Sequence, residues 1–277
     1  MTLVYLTGQA HSGSTLLALL LGSHSGAVTL GEAFALSERR QRARRAALTR
    51  RGRTDVLDQL DKPCMCGAPT IRACPFWHDL DARLRALGGL DALDVEHPSP
   101  ERFARDNRAL VESAAASRGA HVVIDSTKSI ARLERLREVP GLDVVTVYLT
   151  RAPAGVVQSL RRKRIPWPTA RVAWSTWRRR RALRGVPHVA VRYEDLAAAP
   201  ETTLRRLMPR LGLAFEPAQL DWWEHSHHLI AGNRMRRRPA PIRLDEAWRE
   251  TMPRWRQHAA RAADWLARAA SPLSQDV

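Results

Sequence analysis

The chain has 277 residues, of which 44% are apolar, and this length allows one large α/β domain or two small ones with a sizeable core. Its formal net charge of +17, carried almost entirely by arginine, favours anionic ligands without choosing among a nucleotide, a nucleic acid, an anionic polysaccharide and a membrane surface. Three cysteines provide no disulfide framework and fit a reducing compartment.

The N-terminal segment does not have the pattern of a secretory signal, because it lacks a basic region and its apolar run is interrupted by polar residues 8–14. No stretch approaches the roughly 18 consecutive apolar residues of a membrane-spanning helix. We therefore expect a cytoplasmic protein without a transmembrane segment.

The first motif is a glycine-bounded loop, residues 8–15, which lies between the apolar runs 3–6 and 16–21. This order predicts strand, loop and helix, with the spacing of a phosphate-binding P-loop, G-x-x-x-x-G-K-[ST]. A loop that leads into a helix N-terminus offers N–H donors and a positive dipole end to an anion. Ser14 replaces the motif lysine that reaches the β- and γ-phosphates. The loop therefore predicts phosphate binding, and it disfavours a standard ATPase or GTPase.

Apolar strand patterns alternate with helical patterns along the rest of the chain. Strands are predicted over 28–32, 121–125, 142–149 and 186–191, a helix and loop over 34–53, and helices over 99–117, through Leu133 and Leu136, and over about 154–163. This alternation predicts an α/β fold with a parallel, doubly wound sheet of about four to five strands flanked by helices. We expect a single domain over 1–277, with a cysteine-containing inserted segment at about 54–98 and a C-terminal helical cap at about 244–277.

Polar residues follow the predicted strands at the edge where such sheets bind ligands. Glu32 ends the second strand, Asp125 to Lys128 follow the third, and Arg151 follows the fourth. Because the carboxyl ends of parallel strands share one edge, these residues are candidates for a common site.

Several segments, in this order and spacing, resemble sulfotransferases that use 3′-phosphoadenosine-5′-phosphosulfate (PAPS), and the resemblance extends from residue 3 to about 250. The matching segments are 11–17, 125–128, 148–151 with Ser159, 191–196 and 232–236. The resemblance implies a P-loop NTPase-like sulfotransferase fold and PAPS as co-substrate, with no metal required for catalysis.

The resemblance also implies which residues bind PAPS. The first loop would hold the 5′-phosphosulfate with His11, Ser12, Gly13, Ser14 and Thr15. Arg151 and Ser159 match the element that binds the 3′-phosphate, Tyr193 would lie near the adenine, and a late loop with Gly232, Asn233, Arg234 and Arg236 would close over the nucleotide. Relatives often carry Arg or Lys where this chain has His11. The structural alternatives are a tight turn, a surface arginine, a core tyrosine and a solvated basic loop.

Two residues are candidates for the chemistry of transfer. Glu32 resembles the glutamate base of carbohydrate and tyrosyl-protein sulfotransferases, and Lys128 is placed to stabilise the leaving phosphate and the sulfuryl oxygens. The structural alternatives are a capping or arginine-paired glutamate and an exposed lysine.

The cysteines form a separate cluster, Cys64-x-Cys66 followed by Cys74, with His78 four residues later. Four soft ligands within this short segment provide the donor set of a structural zinc site, although the spacing is not a common one. A Cys pair closed by oxidation and free buried thiols are the alternatives. We expect this segment to lie over the acceptor pocket.

The sequence thus predicts a bacterial-type sulfotransferase that moves a sulfuryl group from PAPS to a hydroxyl or amine of an unidentified acceptor, and its positive charge favours an anionic one. One alternative is a P-loop small-molecule kinase, which would need Mg²⁺ and the missing lysine. The other is a basic nucleic-acid-binding protein that uses the arginine-rich runs 39–53 and 161–184 with their tryptophans. At helical spacing, however, Trp174 and Trp177 are predicted to pack onto the core. We expect no specific nucleic-acid partner, and the sequence does not indicate the oligomeric state.

Overall fold

A five-stranded parallel sheet lies at the centre of the fold, with the strand order β2-β3-β1-β4-β5. The computed structural model describes residues 1–50, 58–233, 235 and 240–273. The strands are β1 (Thr2–Gly8), β2 (Ala27–Gly31), β3 (Val122–Asp125), β4 (Asp143–Thr150) and β5 (Val189–Arg192). Strand β3 pairs in parallel with both β1 and β2, and β5 pairs in parallel with β4. The predicted doubly wound, parallel sheet is confirmed.

Helices connect the strands and follow the last one. They are α1 (Ser14–Gly22), α2 (Glu38–Thr49), α3 (Pro75–Arg83), α4 (Gly89–Ala92), α5 (Pro100–Arg118), α6 (Ile130–Arg137), α7 (Pro153–Arg162), α8 (Pro168–Leu183), α9 (Tyr193–Ala198), α10 (Pro200–Leu207), α11 (Trp248–Thr251) and α12 (Arg254–Ala269). Short 3₁₀ turns span Ala33–Leu36, Arg85–Leu87, Met208–Leu211 and Pro217–Glu224. Among these described segments, no helix is long and apolar enough to cross a bilayer.

Local sequence explains where these elements begin and what they bury. The side chains of β1 are buried from Leu3 onward, as expected for a strand covered on both faces. The next helix, α1, has an apolar run from Leu16 to Leu21 that is buried all round. Helix α5 begins where Ser99 Oγ accepts the N–H of Arg102 at 3.3 Å and where Pro100 occupies the first turn.

Three predictions, for one helix, one strand and one side chain, differ from the structure. The segment predicted as helix and loop over 34–53 begins as a 3₁₀ turn and continues as α2, and residues 51–53 lie outside the described part of the chain. The strand predicted over 186–191 is shortened to β5 at the sheet edge, because Pro187 has no N–H for a ladder. Trp174 is 61% exposed, so its predicted packing onto the core is wrong. The buried stripe of α8 contains Val172 and Thr176, and Trp174 lies between them on another face.

The chain divides into two compact units. The first contains Met1–Tyr5, Thr15–Val144 and Glu216–Ala240, and the second contains Leu6–Ser14, Val145–Phe215 and Pro241–Val277. In the second unit, α8 packs against α7 and α12. In the first unit, α5 packs against β2 and β3. The single-domain description with its inserted segment and C-terminal cap stays a prediction.

Candidate active site

In the second unit, the glycines of the first loop are required by close backbone approaches. A Cβ atom at Gly8 would lie 2.5 Å from the carbonyl oxygen of Leu149. At Gly13, where φ is +94°, it would lie 2.6 Å from Cδ2 of Tyr193. Both distances are too short for a real Cβ, so these positions require glycine for space, and Gly13 also requires it for its backbone conformation. Neighbouring strands and side chains therefore pack closely against this loop. A simple tight turn would not need such packing.

Arg151 lies next to this loop and is held by several contacts. Its Nη1 donates to the carbonyl oxygen of His11 at 3.1 Å. Its Nη2 donates to the carbonyl oxygen and to Oδ2 of Asp245 at 3.0 and 2.9 Å. The guanidinium carbon lies 4.2 Å from the ring centroid of Tyr193. The Arg151 side chain is thus buried and fixed in orientation, whereas the alternative of a solvated surface arginine would leave it mobile.

Buried hydrogen-bond donors in this part of the second unit lack partners in the described chain, as does one acceptor, Gln9 Oε1. Neither Ser12 Oγ nor Arg151 Nε has a hydrogen-bond partner among the residues that the structure describes. Buried donors without partners are costly and call for an explanation such as a missing ligand. A hydroxyl and a guanidinium N–H are both suited to an oxyanion.

The backbone of the loop is strained at His11, whose φ is +68°. Non-glycine residues rarely adopt this left-handed conformation, although histidine tolerates it better than most. Such strain persists only where the surroundings enforce it, and it clusters at ligand-binding sites. Here the Arg151 contact to the His11 carbonyl is one such constraint.

The other two predicted nucleotide contacts of the second unit differ in exposure. Ser159 lies partly buried on α7, near the end of its second turn. Tyr193 is buried, with its ring against Gly13 and its hydroxyl accepting the N–H of Asp245 at 3.1 Å. Tyr193 therefore supports both the loop and Arg151.

In the first unit, the structure brings the late loop to the start of α1. The N–H of Asn233 donates to Oγ1 of Thr15 at 3.1 Å. Shortly before the late loop, Ile230 forms an isolated parallel bridge with Gly31 at the end of β2. Gly232 and Asn233 are thus positioned beside Thr15, whereas Arg234 and Arg236 lie outside the described residues.

Glu32 and Lys128 form an ion pair in the first unit. Lys128 Nζ donates to Glu32 Oε1 at 2.6 Å and to the carbonyl oxygen of Ser126 at 2.8 Å. Lys128 also has a φ of +70°, which is unfavourable for a residue with a Cβ and side-chain stem. Lys128 is therefore not simply an exposed lysine. The partner of Glu32 is this lysine, and not an arginine as in the structural alternative.

The sequence analysis missed the buried charges that hold these two residues. Asp125 Oδ1 accepts the N–H of Ala33, the residue after Glu32, at 3.3 Å and the N–H of Thr127, before Lys128, at 2.9 Å. Asp125 Oδ2 accepts a hydrogen bond from Arg132 Nε at 2.9 Å. Burial acts to lower the pKa of Arg132, but the carboxylates of Asp125 and Glu96 raise it above its usual value. In the sequence, Asp125 comes just before a turn and Arg132 follows it in α6. This spacing is the signal that could have suggested the pair.

The three cysteines are close together, and they are grouped with a histidine from elsewhere in the chain. Cys64, Cys66 and Cys74 lie with His228, whereas His78 is exposed on α3 and is not part of the group. Like Glu32 and Lys128, the group belongs to the first unit.

Comparison with known proteins identifies the family. The model of the sulfotransferase family matches residues 4–217, which is most of the chain. The chain belongs to the sulfotransferase family. The family match supports sulfuryl transfer over the kinase and nucleic-acid alternatives. A search of curated proteins found no significant match.

Solved structures with the same fold are sulfotransferase domains. The sulfotransferase domain from the Synechococcus PCC 7002 olefin synthase is 19% identical, with a TM-score of 0.55, and the alignment covers 96% of this chain and 94% of that one. The sulfotransferase domain from the curacin biosynthetic pathway is 16% identical, with a TM-score of 0.50 and coverage of 99% and 92%. The predicted family and fold are both confirmed.

Proposed function

We propose that this sulfotransferase uses PAPS and transfers its sulfuryl group to a hydroxyl or amine of the acceptor, releasing 3′-phosphoadenosine-5′-phosphate (PAP). The observation that carries the proposal is the pair of unpartnered buried atoms, Ser12 Oγ and Arg151 Nε. A nucleotide with phosphates at both its 3′ and 5′ positions supplies an oxyanion for each of them.

The first loop is the proposed site of the 5′-phosphosulfate. Helix α1 begins at Ser14, so its first N–H groups have no partner within the helix and point toward an anion at this end. Ser12 Oγ adds a hydroxyl donor at the same loop. A 5′-phosphosulfate is shorter than a triphosphate and has no γ-phosphate. The P-loop lysine that would reach a γ-phosphate is therefore not needed, and Ser14 can occupy its position.

Arg151 is the proposed ligand of the 3′-phosphate, together with Ser159 on the following helix. Its guanidinium group is fixed by His11, Asp245 and Tyr193, so little side-chain entropy remains to be lost on binding. We assign Tyr193 a positioning role, because it is buried against Gly13 and Arg151. Asn233 and its neighbours would close over the nucleotide.

The chemical step is proposed to be an in-line displacement at sulfur. The acceptor oxygen or nitrogen forms a bond to sulfur as the bond from sulfur to the bridging phosphate oxygen breaks, and that oxygen keeps the electron pair. Glu32 takes the proton from the acceptor, and Lys128 stabilises the negative charge on the sulfuryl and bridging oxygens. The 2.6 Å contact between the two side chains supports this assignment, because it holds both at one place in the first unit.

Calorimetric titration with PAP and with ATP–Mg²⁺ tests the proposed donor. We expect PAP to bind with micromolar affinity and ATP–Mg²⁺ to bind far more weakly. Binding of ATP–Mg²⁺ with none of PAP would overturn the proposal in favour of a phosphoryl donor.

A further inference from the structure

Four soft ligand atoms from two distant parts of the sequence converge in the first unit. The Sγ atoms of Cys64, Cys66 and Cys74 and a ring nitrogen of His228 all lie within 4.8 Å of one another. Cys66 Sγ is 3.5 Å from Cys74 Sγ. Nδ1 of His228 is 3.1 Å from Cys74 Sγ and 3.9 Å from Cys64 Sγ.

We infer that these four side chains bind one structural Zn²⁺ ion. A tetrahedral zinc with bonds of about 2.3 Å to sulfur and about 2.0–2.1 Å to nitrogen separates two sulfurs by about 3.8 Å and a sulfur from the nitrogen by about 3.5 Å. The observed separations lie on both sides of these values, so small side-chain adjustments complete the tetrahedron. Three thiolates and an imidazole also select zinc over the harder magnesium and calcium ions.

The local structure holds the four ligands before any ion binds. Cys64 and Cys66 lie in a tight turn, where the N–H of Gly67 donates to the carbonyl oxygen of Cys64 at 3.3 Å and Gly67 has a φ of +92°. Cys74 is the residue that caps the N-terminus of α3, so its backbone position is fixed by the start of that helix.

His228 is oriented by the first turn of α3. Its ring stacks on Phe76, with centroids 4.9 Å apart, and its carbonyl oxygen accepts the Trp77 indole N–H at 2.7 Å. These contacts turn Nδ1 toward the sulfurs and leave Nε2 away from them. The stacking acts on the ring itself, and the indole hydrogen bond fixes the backbone of His228.

The site is complete with four protein ligands, which is the arrangement of structural zinc, whereas catalytic sites keep one position for water. Cys64 and Cys74 are buried, and Cys66 and His228 are half-buried, which leaves the ion a path of entry. Binding converts the three thiols to thiolates and releases their protons to solvent, with no change of oxidation state.

The ion would connect the cysteine segment to the strand-like segment beside Glu32. Two residues after His228, the N–H of Ile230 donates to the carbonyl oxygen of Leu30 and its own carbonyl accepts the N–H of Glu32, both at 2.9 Å. Zinc would thus fix the backbone that pairs with Glu32. This role does not depend on which nucleotide the enzyme uses.

Metal analysis of untagged protein, purified under reducing conditions, tests the inference. We expect about one zinc ion per chain, as for other structural sites. Cys74→Ser should lose the zinc and lower the thermal midpoint, whereas His78→Ala, which removes the exposed histidine of the same segment, should keep both. His228→Ala should also lose zinc, although it leaves every cysteine in place.

A second measurement keeps the inference testable if Cys74→Ser does not fold. Wild-type protein freed of metal and titrated with Co²⁺ should develop the intense visible absorption of a tetrahedral cobalt–thiolate site, and Zn²⁺ should abolish it. Wild-type protein that takes up neither ion would overturn the inference. So would an intact mass lowered by two hydrogens with Cys66 and Cys74 linked, because those thiols would then form a disulfide.

Discussion

Lys128 Nζ donates a hydrogen bond to Glu32 Oε1 over 2.6 Å, although the two residues are far apart in the sequence. Their side chains are only 15% and 21% exposed, so the pair lies largely out of water. An ammonium group in this position orients the carboxylate, and in the proposed mechanism it stabilises the negative charge that develops during transfer. The pair is therefore the most informative single contact for the proposed chemistry.

Glu32→Gln should abolish most of the turnover and leave nucleotide binding intact. Glutamine keeps a carbonyl oxygen for Lys128 but cannot take a proton, and a positioned general base contributes about 10²–10⁴-fold in rate. The measurement is PAP release with an acceptor that supports wild-type turnover, together with PAP affinity. Glu112→Gln, an exposed glutamate of α5, is the matched control. Full activity in Glu32→Gln would show that Glu32 is not the general base.

Arg151→Ala should weaken PAPS binding mainly through the 3′-phosphate, with a smaller loss at the first loop, because Arg151 also donates to the His11 carbonyl. Losing a hydrogen bond to a charged group costs about 1.5–3 kcal/mol, which is roughly a tenfold to hundredfold change in affinity. The comparison ligand is adenosine-5′-phosphosulfate, which lacks the 3′-phosphate and should lose clearly less affinity than PAPS. Equal losses for both nucleotides would contradict the assignment. Arg192→Ala, at the end of β5, is the control for loss of charge.

Gly13→Ala should destroy nucleotide binding because the new methyl group meets the ring of Tyr193. Gly185→Ala separates this clash from backbone strain, since Gly185 also has a positive φ, +75°, but nothing lies within 4 Å of a Cβ there. The control should lose only about 1–2 kcal/mol of stability and bind PAP normally. Titration of both variants with PAP, alongside their unfolding curves, is the measurement. Normal PAP binding by Gly13→Ala would contradict the close packing of the loop.

Asp125→Asn should destabilise the protein strongly, because it removes the more deeply buried of the two carboxylates, Asp125 and Glu96, that pair with the buried Arg132. Breaking a buried pair from one side costs about 3–5 kcal/mol. Denaturant unfolding measures the cost, with Glu201→Gln in an exposed pair with Arg205 as a control that should change little. If Asp125→Asn changed the free energy of unfolding as little as the control does, the hydrogen bonds of Asp125 would not be what holds the backbone next to Glu32 and Lys128.

The sequence was most informative where structure is local. The strand, loop and helix around Gly8 and Thr15 follow from neighbouring residues, and the alternation of elements predicted the parallel sheet. The placement of Glu32 and Lys128 at strand ends also followed from topology, because parallel strands present their carboxyl ends at one edge. Their direct contact required the register of β2 and β3, which apolar patterns do not specify.

Long-range contacts were the part that the sequence could not supply. His228 lies 154 residues from Cys74, so the cysteine spacing pointed to nearby His78 instead. The only local signal was that His228 belongs to a histidine-rich segment with His225 and His227. The Asp125–Arg132 pair is closer in sequence, but it was not predicted, because Asp125 was considered only as part of the candidate ligand site at the strand ends.

The most direct test of the account is a crystal structure of the protein with PAP. We predict the 5′-phosphate within hydrogen-bonding distance of Ser12 Oγ and the 3′-phosphate within hydrogen-bonding distance of Arg151 Nε, two of the buried atoms that lack partners in the described residues. PAP bound elsewhere, or bound with both atoms still unpartnered, would contradict the proposal that this sulfotransferase uses PAPS.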